Sequence, residues 1–318
     1  MTLLQILLKR RIIKGLHFGG GFIKMKKTNF RSSLLLFMTA VIWGVAFVAQ
    51  SAGMDYVGPF TFNAVRSLIG SVVLIPCIFL LNRGKPVNKT QSRRDLVIGG
   101  MLCGIFLAAA SSFQQFGILY TSVGKAGFIT ALYILLVPLL GMIFGKRVSG
   151  KVWLAVGIAV VGMYLLCVTE GFTIAFGDML VMAGALLFAV HILVIDHFSP
   201  RADGVMLSCI QFFTCGVLCS VGMMIFEQPS LSQILNARLP ILYAGVMSCG
   251  VAYTCQIIGQ RDTDPTIASL ILSLESVVSV LAGWMLLHQS LSLRELAGCA
   301  LVFCAIILAQ LPEKQEQR

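Results

Sequence analysis

The sequence predicts an all-α polytopic membrane protein: ten transmembrane helices arranged as two inverted five-helix repeats. Three observations carry this expectation. Of the 318 residues, 58% are hydrophobic and only 12% are charged, far too little charge to cover a soluble domain of this size. The charges cluster between apolar runs of about 20 residues, the length needed to cross a bilayer. The second half of the chain also repeats the pattern of the first, with an odd number of spans in each copy.

Taken in order, the spans read Ser33–Ala52, Pro59–Leu81, Leu96–Leu119, Lys125–Gly145, Val152–Val168, Asp178–Ile195, Gly204–Phe226, Leu239–Ile258, Pro265–Leu287 and Leu293–Leu311. The first repeat occupies residues 31–168 and the second 176–311. The loops between spans are short, so no soluble domain is expected among them. Residues 1–30 form a basic tail whose apolar run of about eight residues is too short for a signal-peptide core with a cleavage site. It reads as an amphipathic stretch on the inner membrane face. Met25 is a second candidate start, because "MKKTNFR" leads directly into the first span and Gly19-Gly20-Gly21 implies G-rich codons just upstream. Residues 312–318 form a short C-terminal tail.

Basic residues set the orientation. With the N-terminus inside, the cytoplasmic loops collect Arg83, Lys85, Lys89, Arg93, Arg94, Lys146, Arg147, Lys151, Arg201 and Arg261, and the tail adds Lys314 and Arg318. The opposite face carries little beyond Arg238, Arg294 and Lys125. That bias places both termini in the cytoplasm and the protein in the cell (inner or plasma) membrane.

Several classes of function are disfavoured. The net charge of +11 sits in loops and the N-terminal tail rather than on a face with interleaved aromatics, so no nucleic-acid partner is expected. The ten cysteines lie mostly inside apolar tracts without a CxxC pair, and the four histidines have no ligand spacing with them. Neither a metal nor a cofactor is expected. The chain has no H-E-x-x-H, no Gly-x-Ser-x-Gly elbow and no paired intramembrane aspartates, which argues against an enzyme. A P-loop is also missing, so nucleotide-driven pumping within this chain is not expected.

The internal repeat is visible at two offsets. A shift of 145 lays "AVIWGVAF" (Ala40–Phe47) over "ALLFAVHI" (Ala185–Ile192) and places Arg66 opposite Gln211. A shift of 141 lays "SSFQQFGILYTSVGKAGF" over "AYTCQIIGQRDTDPTIAS", matching Gln115 to Gln256 and Gly157 to Gly298. Five spans is an odd number, so the second copy enters the membrane upside down. Inverted repeats of this kind build alternating-access carriers, with the solute site between the halves near the midplane.

Residues Asn29 to Leu311 resemble the drug/metabolite transporter superfamily, in its ten-span branch with two EamA-type domains. The resemblance rests on "AVIWGVAF", the arginine of "FNAVRSLIG", "YTSVGKAGFITALYILLVPLL" (Tyr120–Leu140) and "IASLILSLESVVSVLAGWMLL" (Ile267–Leu287). It implies transport, as export or import, of small organic solutes such as amino acids, other metabolites or drugs, with a proton as a candidate coupling partner; export is the direction expected of this chain. Members often carry Gly-Glu after the apolar run of the ninth span, where this chain has His288-Gln289.

Polar residues inside the spans are the candidate solute pathway. Arg66 and Glu275 are isolated charges, and a charge at membrane depth costs about 2.5–3.5 kcal/mol on insertion scales. Arg66 either faces the interior or snorkels to the headgroups, roughly 10 Å away at 1.5 Å per residue. The two charges either pair across the repeats or serve separately, Glu275 as a proton or solute site. Gln114, Gln115, Gln211 and Gln256 offer amides either to a solute or to neighbouring helices. Trp43, Tyr133 and Tyr253 either wall a cavity or pack as interfacial aromatics. His191 and Asp196 read as a proton relay or an interfacial polar cluster. Pro138 is a candidate hinge, and Gly157 and Gly298 are candidate close-packing positions. A secondary transporter using alternating access is the favoured function, with a small-molecule substrate and the lipid bilayer as partners. A non-transporting membrane scaffold or receptor is the alternative. Monomer and homodimer are both compatible with the repeat.

Overall fold

In the computed structural model, the described residues are 30–82, 92–121, 123–143, 145–146, 148–167, 175–287 and 292–311. The N-terminal tail with Met25, the loop basics Arg83, Lys85, Lys89 and Arg147, the pair His288-Gln289 and residues 312–318 lie outside them. The described residues are helical with short connections and contain no strand.

The helices are α1 (Phe30–Gly53), α2 (Pro59–Asn82), α3 (Arg93–Ile118), α4 (Val123–Ala131), α5 (Tyr133–Ile143), α6 (Gly150–Cys167), α7 (Phe176–Phe198) and α8 (Gly204–Phe226). They continue with the short α9 (Leu231–Asn236) and α10 (Arg238–Leu242), a π-helical segment over Tyr243–Ala252, then α11 (Tyr253–Arg261), α12 (Pro265–Leu272), α13 (Leu274–Leu287) and α14 (Leu293–Gln310). Eight helical tracts are long and apolar enough to cross a membrane, and two shorter apolar helices cover Gly150–Leu165 and Leu296–Ala309. These shorter two, in α6 and α14, pack on each other.

Local chemistry sets the helix starts. Ser92 caps α3 by accepting from Asp95 N at 3.2 Å. Asp203 caps α8 by accepting from Val205 N (3.0 Å) and Met206 N (2.9 Å). Asp264 does the same for α12, where Pro265 occupies the first position without losing a needed donor. The cap of α2 comes from far along the chain. Glu227, just after α8, accepts from Phe60 N at 2.8 Å and from Thr61 N at 2.7 Å. A carboxylate on an open helix N-terminus is a strong, charge-assisted contact.

The most extensive helix packings all join residues 31–168 to residues 175–311: α3 on α7, α2 and α3 on α8, α6 on α14, and α1 on α13. The two halves therefore interleave, and the core is the interface between them. Small residues permit the close approaches. A Cβ on Gly104 would lie 2.5 Å from Thr214 Cβ and 2.6 Å from Gln211 O, so α3 meets α8 nearly backbone to backbone. Large apolar side chains such as Phe79, Leu80, Met224 and Met285 point outward and are mostly exposed, which suits a surface bathed in lipid tails.

Two tracts are broken at matching places. α4 and α5 are interrupted at Leu132, and α12 and α13 at Ser273. These positions are 141 residues apart, the offset of the sequence repeat. Pro138 lies inside continuous α5, six residues past the break, so the discontinuity stands at Leu132 rather than at the proline. Of the candidate packing glycines, Gly157 faces open space. The close contact forms five residues further on, where a Cβ on Gly162 would lie 2.9 Å from Gly298 O.

Candidate functional site

The two helix breaks face each other across a buried cavity. Tyr133 follows the break at Leu132, and Glu275 follows the break at Ser273. Tyr133 donates its hydroxyl to Glu275 Oε1 at 2.9 Å, and both residues are buried. Around this contact lies a cavity of about 40 Å³, whose lining includes Trp43, Arg66, Gln114, Tyr133, Tyr253, Gln256 and Glu275. Seven of the nine residues expected on a solute path therefore meet in one place. Discontinuous helices ending at a midplane cavity are the usual construction of a transporter site, because broken backbone is tolerated only where it lines a cavity or is buried in protein.

Arg66 does not reach for headgroups. It is 7% exposed and lines the cavity. It does not pair with Glu275 either: the two ion pairs among the described residues are Lys125–Asp178 and Lys146–Asp196. Its guanidinium lies over the Phe62 ring at 5.4 Å from the centroid, a cation–π contact, and its Nε has no hydrogen-bond partner among the described atoms. A guanidinium and a carboxylate thus share one buried chamber without neutralising each other.

Aromatic rings form the walls. Trp43 and Tyr253 stack obliquely with centroids 4.5 Å apart, and the Trp43 Nε1 donor has no partner among the described atoms. Gln50 Oε1 and Gln256 Oε1 are likewise buried acceptors without partners there. Leaving such groups unmade costs about 1–3 kcal/mol each, so a chamber holding several of them is suited to a polar guest.

The other expected residues stand just behind the wall. Gln115 donates its side-chain amide to Gln50 O at 3.1 Å. Gln211 hydrogen-bonds His191 Nε2 at 3.1 Å. Gln114, one residue from Gln115, lines the cavity and donates to Thr130 Oγ1 at 3.0 Å. His191 and Asp196 do not cluster: His191 lines the cavity while Asp196 holds Lys146 at the end of α7. Five residues of α-helix turn the second side chain about 140° from the first, which separates them. Gln50, Thr130, Ser248 and His191 are cavity residues that the sequence did not assign to the path. A lone Gln50 inside the apolar first span was the available signal.

The cavity is small in this state. About 40 Å³ holds two or three waters, whereas small-molecule pockets run from about 300 Å³ upward. The arrangement is that of a narrow, buried chamber between two interleaved halves.

Fold and site together define a multi-pass membrane transporter. The chain matches the EamA-like transporter family over residues 31–168 and again over 175–311, and it belongs to that family. An uncharacterized transporter of Archaeoglobus fulgidus is 31% identical over 281 residues, covering 88% of this chain and 86% of that protein. The uncharacterized inner membrane transporter YedA of Escherichia coli K12 is 25% identical over 288 residues, covering 87% and 89%. A solved crystal structure superposes with a TM-score of 0.73 at 21% identity, covering 87% of this chain and 96% of its own; at that identity the likeness speaks for the fold alone.

Proposed function

We propose that this protein is a secondary transporter that moves a small zwitterionic organic solute by alternating access between two inverted five-helix repeats. The observation that carries the proposal is the unpaired juxtaposition of Arg66 and Glu275 in one buried chamber. A solute carboxylate would meet Arg66 and the Trp43 donor. A solute ammonium would meet Glu275 and the acceptors of Gln50 and Gln256. Each contact replaces an unmet buried group with a charge-assisted hydrogen bond. Trp43 and Tyr253 would enclose the remaining apolar body.

In this reading α6 and α14 are the fifth and tenth spans, both termini are cytoplasmic, and the direction of movement is efflux. The matched breaks at Leu132 and Ser273 support inverted repeats meeting at the solute. A cavity of only about 40 Å³ fits a contracted stage of the cycle, and a substrate-sized volume would appear on opening.

The test is a thermal-shift series on the purified protein with neutral amino acids, their decarboxylated amines and their deaminated acids. A ligand that binds only the folded state raises the melting temperature with concentration. The zwitterions are expected to raise it, and the analogues lacking one charge are expected to fail at the same concentration. Equal shifts from the amines or the acids, or no shift from any of the three, would contradict the assignment.

A further inference from the structure

Both ion pairs found among the described residues join the same two helical tracts, at opposite ends. Lys125, in the first turn of α4, meets Asp178 at the start of α7 at 2.5 Å. Lys146, three residues past α5, meets Asp196 near the end of α7. The broken tract α4–α5 and α7 therefore run parallel. Lys125 to Lys146 spans about 31 Å and Asp178 to Asp196 about 27 Å at 1.5 Å rise per residue, close to the thickness of a hydrocarbon core, about 30 Å. The two pairs thus stand about one hydrocarbon thickness apart, and on both tracts the cavity-lining residues lie between them. Thr130 and Tyr133 of α4–α5 line it from one side and Phe188 and His191 of α7 from the other.

Each pair is built into its end of the helix. Asp178 also accepts from Thr121 Oγ1 at 2.7 Å, which ties the chain just before α4 to α7, and from Ala175 N at 2.8 Å within the capping turn of α7 itself. At the far end Gly145 adopts φ +79°, a conformation glycine takes readily. The following Lys146 N donates to Gly141 O at 2.9 Å, which closes α5 and returns the lysine toward α7. The side chains are only partly exposed, 25% and 3% in the first pair and 18% and 17% in the second. Screening is correspondingly weaker than at an open surface.

The equivalent interface in the other half is built differently. The repeat offsets map α4–α5 against α7 onto α12–α13 against α1. The four charged positions become Thr266, Leu287, Ser33 and Ser51. None can form an ion pair. That interface is packed directly instead: a Cβ on Gly44 would lie 2.5 Å from Val278 Cβ and 2.8 Å from Glu275 O.

The geometry points to a two-ended ionic lock on the cavity. Both pairs closed seal it, release of one pair opens it toward one membrane face, and release of the other opens it toward the opposite face. Closely packed α1–α13 is the side that stays together. The lock rests on the alternating-access reading above, but its readout is access rather than flux, so its failure would leave a transporter that moves its solute without these two latches.

The test uses a Ser248→Cys reporter in the cavity wall, in full-length protein in right-side-out and inverted vesicles. Labelling by a membrane-impermeant maleimide is read on the reporter peptide by mass spectrometry. Asp178→Asn is expected to raise labelling from one face roughly fivefold or more, and Asp196→Asn from the opposite face by a similar factor. Lys125→Gln and Lys146→Gln should reproduce these effects while leaving the Thr121 and Ala175 contacts in place. The paired reversals Lys125→Asp with Asp178→Lys, and Lys146→Asp with Asp196→Lys, should restore protection. Labelling raised from the same face by both releases, or unchanged by all four single variants, would overturn the lock. So would reversals that leave the reporter as open as the single variants.

Discussion

Glu275→Gln is expected to stop solute movement while leaving the folded protein at normal yield. Glutamine keeps the size of the side chain, and its carbonyl oxygen still accepts from Tyr133, which now bonds Glu275 at 2.9 Å. What disappears is the negative charge offered to the solute ammonium. A hydrogen bond to a charged group contributes about 1.5–3 kcal/mol, so affinity should fall roughly 10- to 150-fold by the tenfold-per-1.4-kcal/mol relation. Counterflow in proteoliposomes measures the loss, and gel filtration of the same preparation checks the fold. Wild-type counterflow from this variant would remove Glu275 from the site.

Arg66→Met should move stability and function in opposite directions. The guanidinium is buried with no carboxylate within ion-pair distance among the described residues. A buried charge without a counter-ion opposes folding, whereas an apolar side chain of similar length does not; replacing buried ionic groups in this way has been neutral or stabilising by about 1–4 kcal/mol. The lost Phe62 contact offsets about 0.5–2 kcal/mol of that. Even about 1 kcal/mol raises the melting temperature of a chain of this size by roughly 1–2 °C. The ligand-free variant should thus melt higher than wild type, and its zwitterion-dependent shift should vanish. A variant that melts lower and still responds to ligand would mean that Arg66 serves the fold. Retaining a charge that folding does not need is the usual compromise at a binding site.

Much of this site was legible before any coordinates. Isolated charges in apolar spans have few affordable locations, so Glu275 near the middle of its span could be assigned to the interior from sequence alone, whereas Arg66 stayed open between the interior and the headgroups. Tertiary contacts decide the facing of both: Glu275 faces Tyr133 rather than Arg66, and Arg66 faces Phe62 and the cavity rather than the headgroups. The facing of the glutamines was not legible. Gln114 and Gln115 differ by about 100° around α3, and only the neighbouring helices decide which one meets the cavity. The offset of 141 pairs Gln115 with Gln256, yet Gln114 and Gln256 are the two that line the wall. The π-helical segment Tyr243–Ala252 precedes Gln256, and its wider i→i+5 winding accounts for a one-residue slip in facing relative to the continuous α3. Pro138 suggested a hinge because proline removes a helical hydrogen bond. The break nevertheless stands at Leu132, matched by a proline-free break at Ser273, so proline is not what the two breaks share.

The measurement closest to the central claim is counterflow of a labelled neutral amino acid into proteoliposomes loaded with a mixed unlabelled pool. Wild-type protein is expected to accumulate the label transiently and stereoselectively, with accumulation lost in both Arg66→Met and Glu275→Gln. Accumulation that persists in both variants would contradict the account, as would a wild-type protein that exchanges singly charged amines or acids and ignores zwitterions.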